Sequence, residues 1–171
     1  MTEDNNKVLD EIGWKILIEL QKDARVTFAE LGRRVGLSTP AVSERVRKLE
    51  DEGVILGYRT LVDASKVGLP ILAFIRISVV GDFLNKIIMV ARDLPEVLEC
   101  HRVTGSDSFI LKVTGASIEH LESVIDKLTP YVATTTSIVL SSAVSAGIVE
   151  PFRNAKEKKR SHDSGKARVF S

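Results

Sequence analysis

The chain has 171 residues, of which 44% are hydrophobic and 27% are charged, and its formal net charge at pH 7 is +1. This composition supports a folded core and excludes a wholly disordered chain, and the length suits one domain or two small ones. So small a net charge excludes bulk basic character as an argument for nucleic-acid binding. The single cysteine excludes an internal disulfide framework and a cysteine-based metal site. We therefore expect no metal and no other cofactor.

The N-terminal residues from Met1 to Asn6 are polar and lack the basic start and apolar core of a signal peptide. The longest apolar runs are either interrupted by Arg76 or too short to span a bilayer. We therefore expect a soluble cytoplasmic protein that makes no membrane contact.

The first part of the chain has the pattern of consecutive helices. Apolar residues recur at helical spacing from about Val8 to Lys22, which predicts the first helix. Thr27 is placed to cap a second helix, with Glu30 three residues later as its capping-box partner. Gly36 is expected to end this second helix.

A third helix follows a tight turn, as in a helix-turn-helix. Ser38 is placed to cap it, Pro40 is tolerated in its first turn, and Gly53 ends it. Its apolar positions face the core, so its polar positions point outward. In a helix-turn-helix, residues near the start of such a helix reach base edges in the major groove. Arg47 is expected to contact a guanine or a phosphate. We expect the DNA-binding residues to be Arg34, Ser38, Thr39, Pro40, Ser43, Glu44, Arg45, Arg47 and Lys48.

Basic residues gather around this helix although the whole chain is nearly neutral. The cluster comprises Arg33, Arg34, Arg45, Arg47 and Lys48. Glu44 is the one acid expected to oppose it, and such a patch favours DNA phosphates. The alternative is a three-helix bundle with a solvated charged face and no role on DNA.

The second half of the chain alternates between strand and helix patterns. The predicted order β-α-β-β-α-β is that of a ferredoxin-like unit, a four-stranded antiparallel sheet with two helices on one face. The other face, with its apolar alternation, needs a cover, for which a second subunit is the economical choice. Strands are predicted at Ile71 to Val80, Glu96 to Thr104, Ser108 to Thr114 and Thr134 to Val144, and helices at Phe83 to Leu94 and after the cap Ser117.

The resulting fold class is α+β, with an N-terminal winged helix-turn-helix and a C-terminal ferredoxin-like domain. Residues 54–62 are predicted as a strand pair or an extended wing. We expect a DNA-binding domain over 1–62, a linker over 63–70, the ferredoxin-like domain over 71–149 and a basic, disordered tail over 150–171.

The chain resembles the Lrp/AsnC, or feast/famine, family of prokaryotic regulators from about Val8 to Val149. The order and spacing of the matching segments carry the resemblance. They are Leu9-Asp10, Ile16-Leu17, Ala29-Glu30-Leu31, Val35 to Ser38, Val42 to Glu50, Gly53 to Tyr58, Glu99 to Gly105 and Phe109 to Val113.

The resemblance implies a sequence-specific regulator of transcription on double-stranded DNA in the prokaryotic cytoplasm, associated with the nucleoid. It implies that the second domain dimerises and stacks into octamers or similar rings. It also implies that a small molecule, often an amino acid, binds at dimer contacts and alters oligomeric state or DNA affinity.

The resemblance further implies an effector loop that reads Gly-x-x-Asp before an aromatic residue. Gly105 and Phe109 match this pattern, but Ser108 stands at the aspartate position and Asp107 lies one place early. The expected effector-binding residues are Thr104, Gly105, Ser106, Asp107, Ser108, Thr134 and Thr136.

Two other functions stay open at this stage. Some haem-pathway decarboxylases resemble the same two-domain fold, but no nucleophile–base pair stands out in this chain, so we expect no catalytic residues. Cys100 and His101 are neighbours on a strand and point to opposite faces, so they are not expected to ligate one metal. The other possibility is a chromatin-like architectural protein that wraps DNA with little sequence preference.

Overall fold

The computed structural model describes residues 8–79, 83–130, 132–145 and 147–152. They form two compact units, one drawn from Met1–Thr60 and Ala146–Ser171, the other from Leu61–Ser145. The predicted polar N-terminus before Val8 and the predicted tail after Phe152 lie outside the described residues. Among the described helices, none combines the length and apolar character needed to cross a membrane.

The described residues of the first unit contain three helices with defined bounds, and the sequence predicts all of them. They are α1 (Glu11–Lys22), α2 (Phe28–Val35) and α3 (Thr39–Asp51). Helix α1 starts later than the predicted Val8 because Asp10 is its N-cap, with a carboxylate that accepts the N–H of Gly13 at 2.7 Å. The turn between α2 and α3 needs Gly36, whose φ of 76° is left-handed.

The expected caps of α2 and α3 are only partly formed. Thr27 caps α2 by accepting the N–H of Glu30, but the Glu30 carboxylate binds arginines instead of completing a capping box. Ser38 occupies the N-cap of α3 without a capping hydrogen bond from its side chain. The helices therefore begin where predicted, whereas the side chains of Glu30 and Ser38 do not make the predicted capping bonds.

The three helices enclose one apolar core. Ile16 from α1, Leu31 from α2, and Val42 and Leu49 from α3 have no exposed surface. Shortening such a side chain to alanine costs about 2–5 kcal/mol of stability. Residues 54–62 after α3 begin with bends at Val54 and Ile55 and contain no strand, so the predicted strand pair is not formed there.

The first unit also includes residues 147–152, which the sequence assigns to the second domain and the tail. Gln21 on α1 donates its amide N–H to the carbonyl of Val149 at 3.0 Å and accepts the N–H of Val149 at 2.8 Å. A single side chain thus satisfies both backbone groups of one residue 128 positions away. This pairing explains why the described C-terminal segment groups with the helices.

The second unit is the predicted α+β fold with shorter elements. It contains β1 (Ile71–Ser78), α4 (Leu84–Asp93), β2 (Val97–Arg102), β3 (Phe109–Gly115), α5 (Ile118–Leu128) and β4 (Ala133–Ile138). A 3₁₀ turn at Ala64–Val67 precedes β1. The antiparallel sheet has the order β2-β3-β1-β4. Strand β4 ends at Ile138, six residues before the predicted Val144.

One face of this sheet carries both helices. Ile75 and Ile77 on β1 are completely buried with Leu111 on β3, and they pack with Ile87 of α4 and Val124 of α5. Strand alternation sends every second residue to this face. The two central strands therefore supply half of the buried residues described in this core.

The opposite face is more polar than the sequence prediction of an apolar alternation. Arg76 on β1 lies in register with Ile110 and Thr135, and Phe74, which is 39% exposed, lies in register with Lys112. Charged side chains alternate with apolar ones across this face. Its burial against a second subunit is therefore not dictated by hydrophobicity alone.

We predict that Gln21→Met speeds hydrogen exchange at the Val149 amide, because methionine neither accepts nor donates the two bonds that hold this residue. Amide exchange measured by NMR on the full chain checks this. The control is Lys22→Met at the next position, which should leave exchange at Val149 unchanged. Equal exchange at Val149 in wild type and Gln21→Met would contradict the pairing.

Candidate DNA-binding surface and effector loop

The outer face of α3 exposes most of the predicted DNA-binding side chains. Helix periodicity with Val42, Val46 and Leu49 buried turns the intervening positions outward. The predicted DNA-binding residues that are exposed on α3 and its N-cap are Ser38, Thr39, Pro40, Ser43, Glu44, Arg47 and Lys48, and Arg34 is exposed on α2. The predicted recognition face is therefore present as one surface of a fixed helix.

The cations on this face are held by nearby acids. Arg47 lies 3.3 Å from Glu44 and 3.2 Å from Asp51, and Lys48 lies 3.4 Å from Glu44. The pKa of Glu44 lies below its usual value, mainly because of the positive charge of Arg47 and its hydrogen bond. Lys48 lowers this pKa to a smaller extent. Long, exposed ion pairs of this kind contribute little to stability. Arg47 and Lys48 can therefore exchange these partners for DNA phosphates or bases.

The basic cluster is opposed by several acids, so the expectation that Glu44 alone opposes it is wrong. On α2, Arg33 lies 2.6 Å from Glu30, while Arg34 lies 2.8 Å from Glu30 and 3.0 Å from Glu19 on α1. Hydrogen bonds from Arg34 and then Arg33 lower the pKa of Glu30. The two pairs with Glu30 arise because helical acids and bases three or four residues apart are neighbours, whereas the pair with Glu19 joins α2 to α1.

Arg45 differs from the other predicted DNA contacts because its guanidinium lies against the first helix. Its Nη1 atom is 2.7 Å from both carboxylate oxygens of Asp10. This hydrogen bond, together with the one from the Gly13 backbone, lowers the pKa of Asp10. The Arg45 side chain is only 34% exposed and is committed to a partner within the fold.

The segment after α3, residues 54–62, is held to the end of that helix by a contact that the sequence does not predict. The Tyr58 hydroxyl donates a hydrogen bond to Glu50 at 2.9 Å. Burial, followed by this hydrogen bond, raises the pKa of Tyr58 to about 12, so the hydroxyl keeps its proton at neutral pH. The residues that follow the helix are therefore fastened to it.

The predicted effector loop packs against the end of β1. The Ser108 hydroxyl accepts the N–H of Val79 at 3.1 Å, and the Ser108 N–H donates to Ile77 at 2.7 Å. Ser78 donates to the backbone carbonyl of Ser106 at 3.2 Å, and its contact with Asp107 is long, at 3.5 Å. Ser108 therefore terminates the strand, while the Asp107 carboxylate is held only weakly.

The other predicted effector residues approach the same end of the sheet from β4. Thr134 lies in register with Ile77, the residue whose carbonyl accepts from Ser108, whereas Thr136 lies one step further in, opposite Ile75. Both threonines are half-buried, and the loop residues Thr104, Gly105 and Ser106 are exposed. The fold thus brings Thr134 and the loop to either side of one strand end, with Thr136 further away.

Potential metal ligands are scattered in the described part of the chain. In the part of the chain that the structure describes, no three side chains of histidine, cysteine, aspartate or glutamate are grouped so that they could hold a metal ion. Cys100 lies in register with Leu111 and His101 with Ile110, so they point to opposite faces as predicted. His101 contacts Glu99, and Cys100 is exposed.

An exposed recognition helix in one unit and a ferredoxin-like sheet in the other define a DNA-binding regulator with a ligand-binding domain. Comparisons with known families agree with this class. The winged helix-turn-helix DNA-binding family matches residues 9–55, and the Lrp/AsnC ligand binding domain matches residues 72–149.

Whole-chain relatives identify the family. The HTH-type transcriptional regulator LrpC of Bacillus subtilis is 38% identical over 133 residues, which span 78% of this chain and 92% of LrpC. The solved LrpC structure superposes with a TM-score of 0.77 at 36% identity, covering 80% of this chain and 98% of that one. A transcriptional regulator of Neisseria meningitidis, solved with L-methionine, has a TM-score of 0.79 at 31% identity and covers 82% and 96%. The chain therefore belongs to the Lrp/AsnC family of transcriptional regulators.

We predict that Arg47→Ala lowers affinity for the preferred operator, selected from a random duplex pool, by about 1–3 kcal/mol and leaves the oligomer intact. The loss follows from removing an exposed guanidinium that no core contact requires. Fluorescence anisotropy measures the affinity and light scattering measures the mass. Lys15→Ala is the control, since Lys15 is an exposed cation on α1 whose partner is Glu11. Unchanged operator affinity in Arg47→Ala would show that Arg47 is not an operator contact.

Proposed function

We propose that this regulator recognises operator DNA with the outer face of α3 and responds to a small molecule, an amino acid or a related metabolite. The observation that carries the proposal is the exposed row of Thr39, Ser43 and Arg47 on a helix whose opposite side is buried. Side chains in this position reach base edges when the helix lies in the major groove. Arg34 and Lys48 flank the row and suit the phosphates on either side.

Asp107 and Thr134 are the groups that we propose for the effector. An amino acid needs acceptors for its ammonium group and donors for its carboxylate, and these residues supply a carboxylate and a hydroxyl near one strand end. Ser108 already accepts the N–H of Val79, so we assign ammonium binding to Asp107. The Neisseria meningitidis relative is a complex with L-methionine, which supports this class of ligand.

We infer that the protein works as a dimer or larger ring, with an octamer as one such assembly. Apolar side chains are exposed along the segment that joins the two units: Leu56 at 94%, Leu61 at 80% and Val62 at 65%. Several large apolar side chains exposed in one short segment favour burial in an interface. Its backbone lies in no strand of the described structure, so it can also pair with a second copy.

An enzyme and an architectural protein are the alternatives. The relatives are transcriptional regulators, and we propose the same role here, in the cytoplasm of a prokaryotic cell on nucleoid DNA. An architectural protein would bind promoter and random DNA equally, whereas an operator reader prefers one sequence. A haem-pathway enzyme would take up a coloured tetrapyrrole, which absorbance detects.

For the effector, we predict that at least one amino acid in a panel of the twenty changes operator affinity or oligomer mass, and that Asp107→Asn weakens the response at least tenfold. The carboxamide keeps the shape but loses the charge that binds an ammonium group. Calorimetry and DNA-binding titrations provide the measurements. The control is Asp126→Asn, at an exposed position on helix α5. Equal responses from Asp107→Asn and wild type would rule out this role.

For the assembly, we predict that Leu61→Asp lowers the oligomer mass of the full chain, because it would place a charge in a buried interface. Sedimentation velocity at micromolar concentration measures the mass. Met89→Asp, at a 59% exposed position on α4, is the control and should sediment like wild type. A wild-type chain that sediments as a monomer would refute the proposed assembly.

A further inference from the structure

Asp10 and Arg45 form an ion pair that joins two helices, which sets it apart from the other ion pairs of α3. Arg45 Nη1 is 2.7 Å from both Asp10 oxygens across 35 positions of sequence. Arg47 and Lys48, by contrast, pair with acids of α3 itself at 3.2–3.4 Å. Among the ion pairs of the described residues, Asp10–Arg45 is therefore the one in which a cation of α3 binds an acid outside α3.

The Asp10 end of this pair is fixed by the backbone around it. Oxygen Oδ1 accepts the N–H of Gly13 at 2.7 Å, and the carbonyl of Asp10 accepts the N–H of Trp14 at 3.0 Å. A Cβ on Gly13 would clash with the carbonyl oxygen of Val8, so the preceding residues fold closely over the start of α1. Arg45 thus binds a carboxylate that has little freedom to move.

The core contacts of α3 leave one degree of freedom that this pair can restrict. Val42, Val46 and Leu49 fix which side of α3 faces the core, but hydrophobic contact is non-directional and leaves small rotations about the helix axis undetermined. A rotation of about 10° moves a side-chain tip about 6 Å from the axis by on the order of 1 Å. Such a displacement disrupts a hydrogen bond to a base edge. The charge-assisted hydrogen bond between Arg45 and Asp10 is directional, so it can restrict this rotation.

We propose that Arg45 is a positioning residue and not a DNA contact, and that its bond to Asp10 sets the rotation of α3 so that Ser43 and Arg47 meet the bases. This replaces the DNA-contact role that the sequence predicts for Arg45. The inference rests on the proposed DNA-reading role of the outer face of α3. It adds Asp10, a residue on a different helix, to the determinants of sequence preference.

Neutralising Asp10 distinguishes a positioning role of Arg45 from a DNA-contact role, because the two roles predict opposite changes in DNA binding. In the full chain, Asp10→Asn weakens the bond to Arg45, and we expect a loss of about tenfold in operator affinity with little change on random duplex DNA. If Arg45 were instead a phosphate contact restrained by Asp10, the variant would bind random DNA more tightly. Its salt dependence would also steepen by about 0.9 per added phosphate. That result would overturn the proposal.

Glu11→Gln is the matched control for Asp10→Asn. It removes the same charge at the next residue of the same helix end, and its partner is Lys15 rather than a residue of α3. We expect wild-type preference for the operator from this variant. A loss of preference equal to that of Asp10→Asn would assign the effect to charge at the helix end and would refute a specific role for Asp10.

Arg45→Lys tests the other side of the pair while keeping the positive charge. A lysine ammonium cannot reproduce the geometry of the guanidinium, so we expect a loss of operator preference like that of Asp10→Asn. We also expect the combination of both substitutions to cost no more than either alone. Affinity near wild type on both DNAs, or a combined loss equal to the sum of the two, would refute the coupling. Binding is measured well below the thermal midpoint of each variant.

This test also distinguishes failure of the inference from failure of the DNA-reading role. If Arg47→Ala leaves operator affinity unchanged, the DNA-reading surface itself is assigned wrongly and the positioning role falls with it. If Arg47→Ala loses affinity while Asp10→Asn does not, only the positioning role of Arg45 is wrong.

Discussion

Helix α3 packs on α1 and α2 through Val42, Val46 and Leu49, and the rest of the DNA-binding unit depends on this contact. Burial at three-to-four-residue spacing leaves the polar positions of α3 no direction except outward. The same packing requires the left-handed turn at Gly36, because only a sharp change of direction brings α3 back across α2. A recognition surface is thus a consequence of forming a small apolar core.

Charge on this unit is balanced locally. Nearly every cation around the recognition helix has a carboxylate within hydrogen-bond distance, which is consistent with a chain of net charge +1. The weak pairs within α3 can be exchanged for DNA, whereas the shorter Asp10–Arg45 bond belongs to the fold. The difference between a binding cation and a structural one therefore lies in the partner and not in the residue type.

Local sequence patterns predicted the elements well, and the errors have physical causes. Helix spacing and caps located α1 to α3, and β-branched runs located all four strands, although β4 ended early. The roles of Arg45, Tyr58 and Gln21 escaped prediction because their partners lie 35, 8 and 128 residues away. No local pattern encodes such contacts.

The central claim is that the outer face of α3 reads bases. Measuring the affinities of wild type and Arg47→Ala for every single-base-pair variant of the selected operator tests it most directly. The account predicts that Arg47→Ala loses discrimination at one or two adjacent base pairs and keeps it elsewhere. A uniform weakening across all operator variants, with every preference retained, would contradict base reading by Arg47.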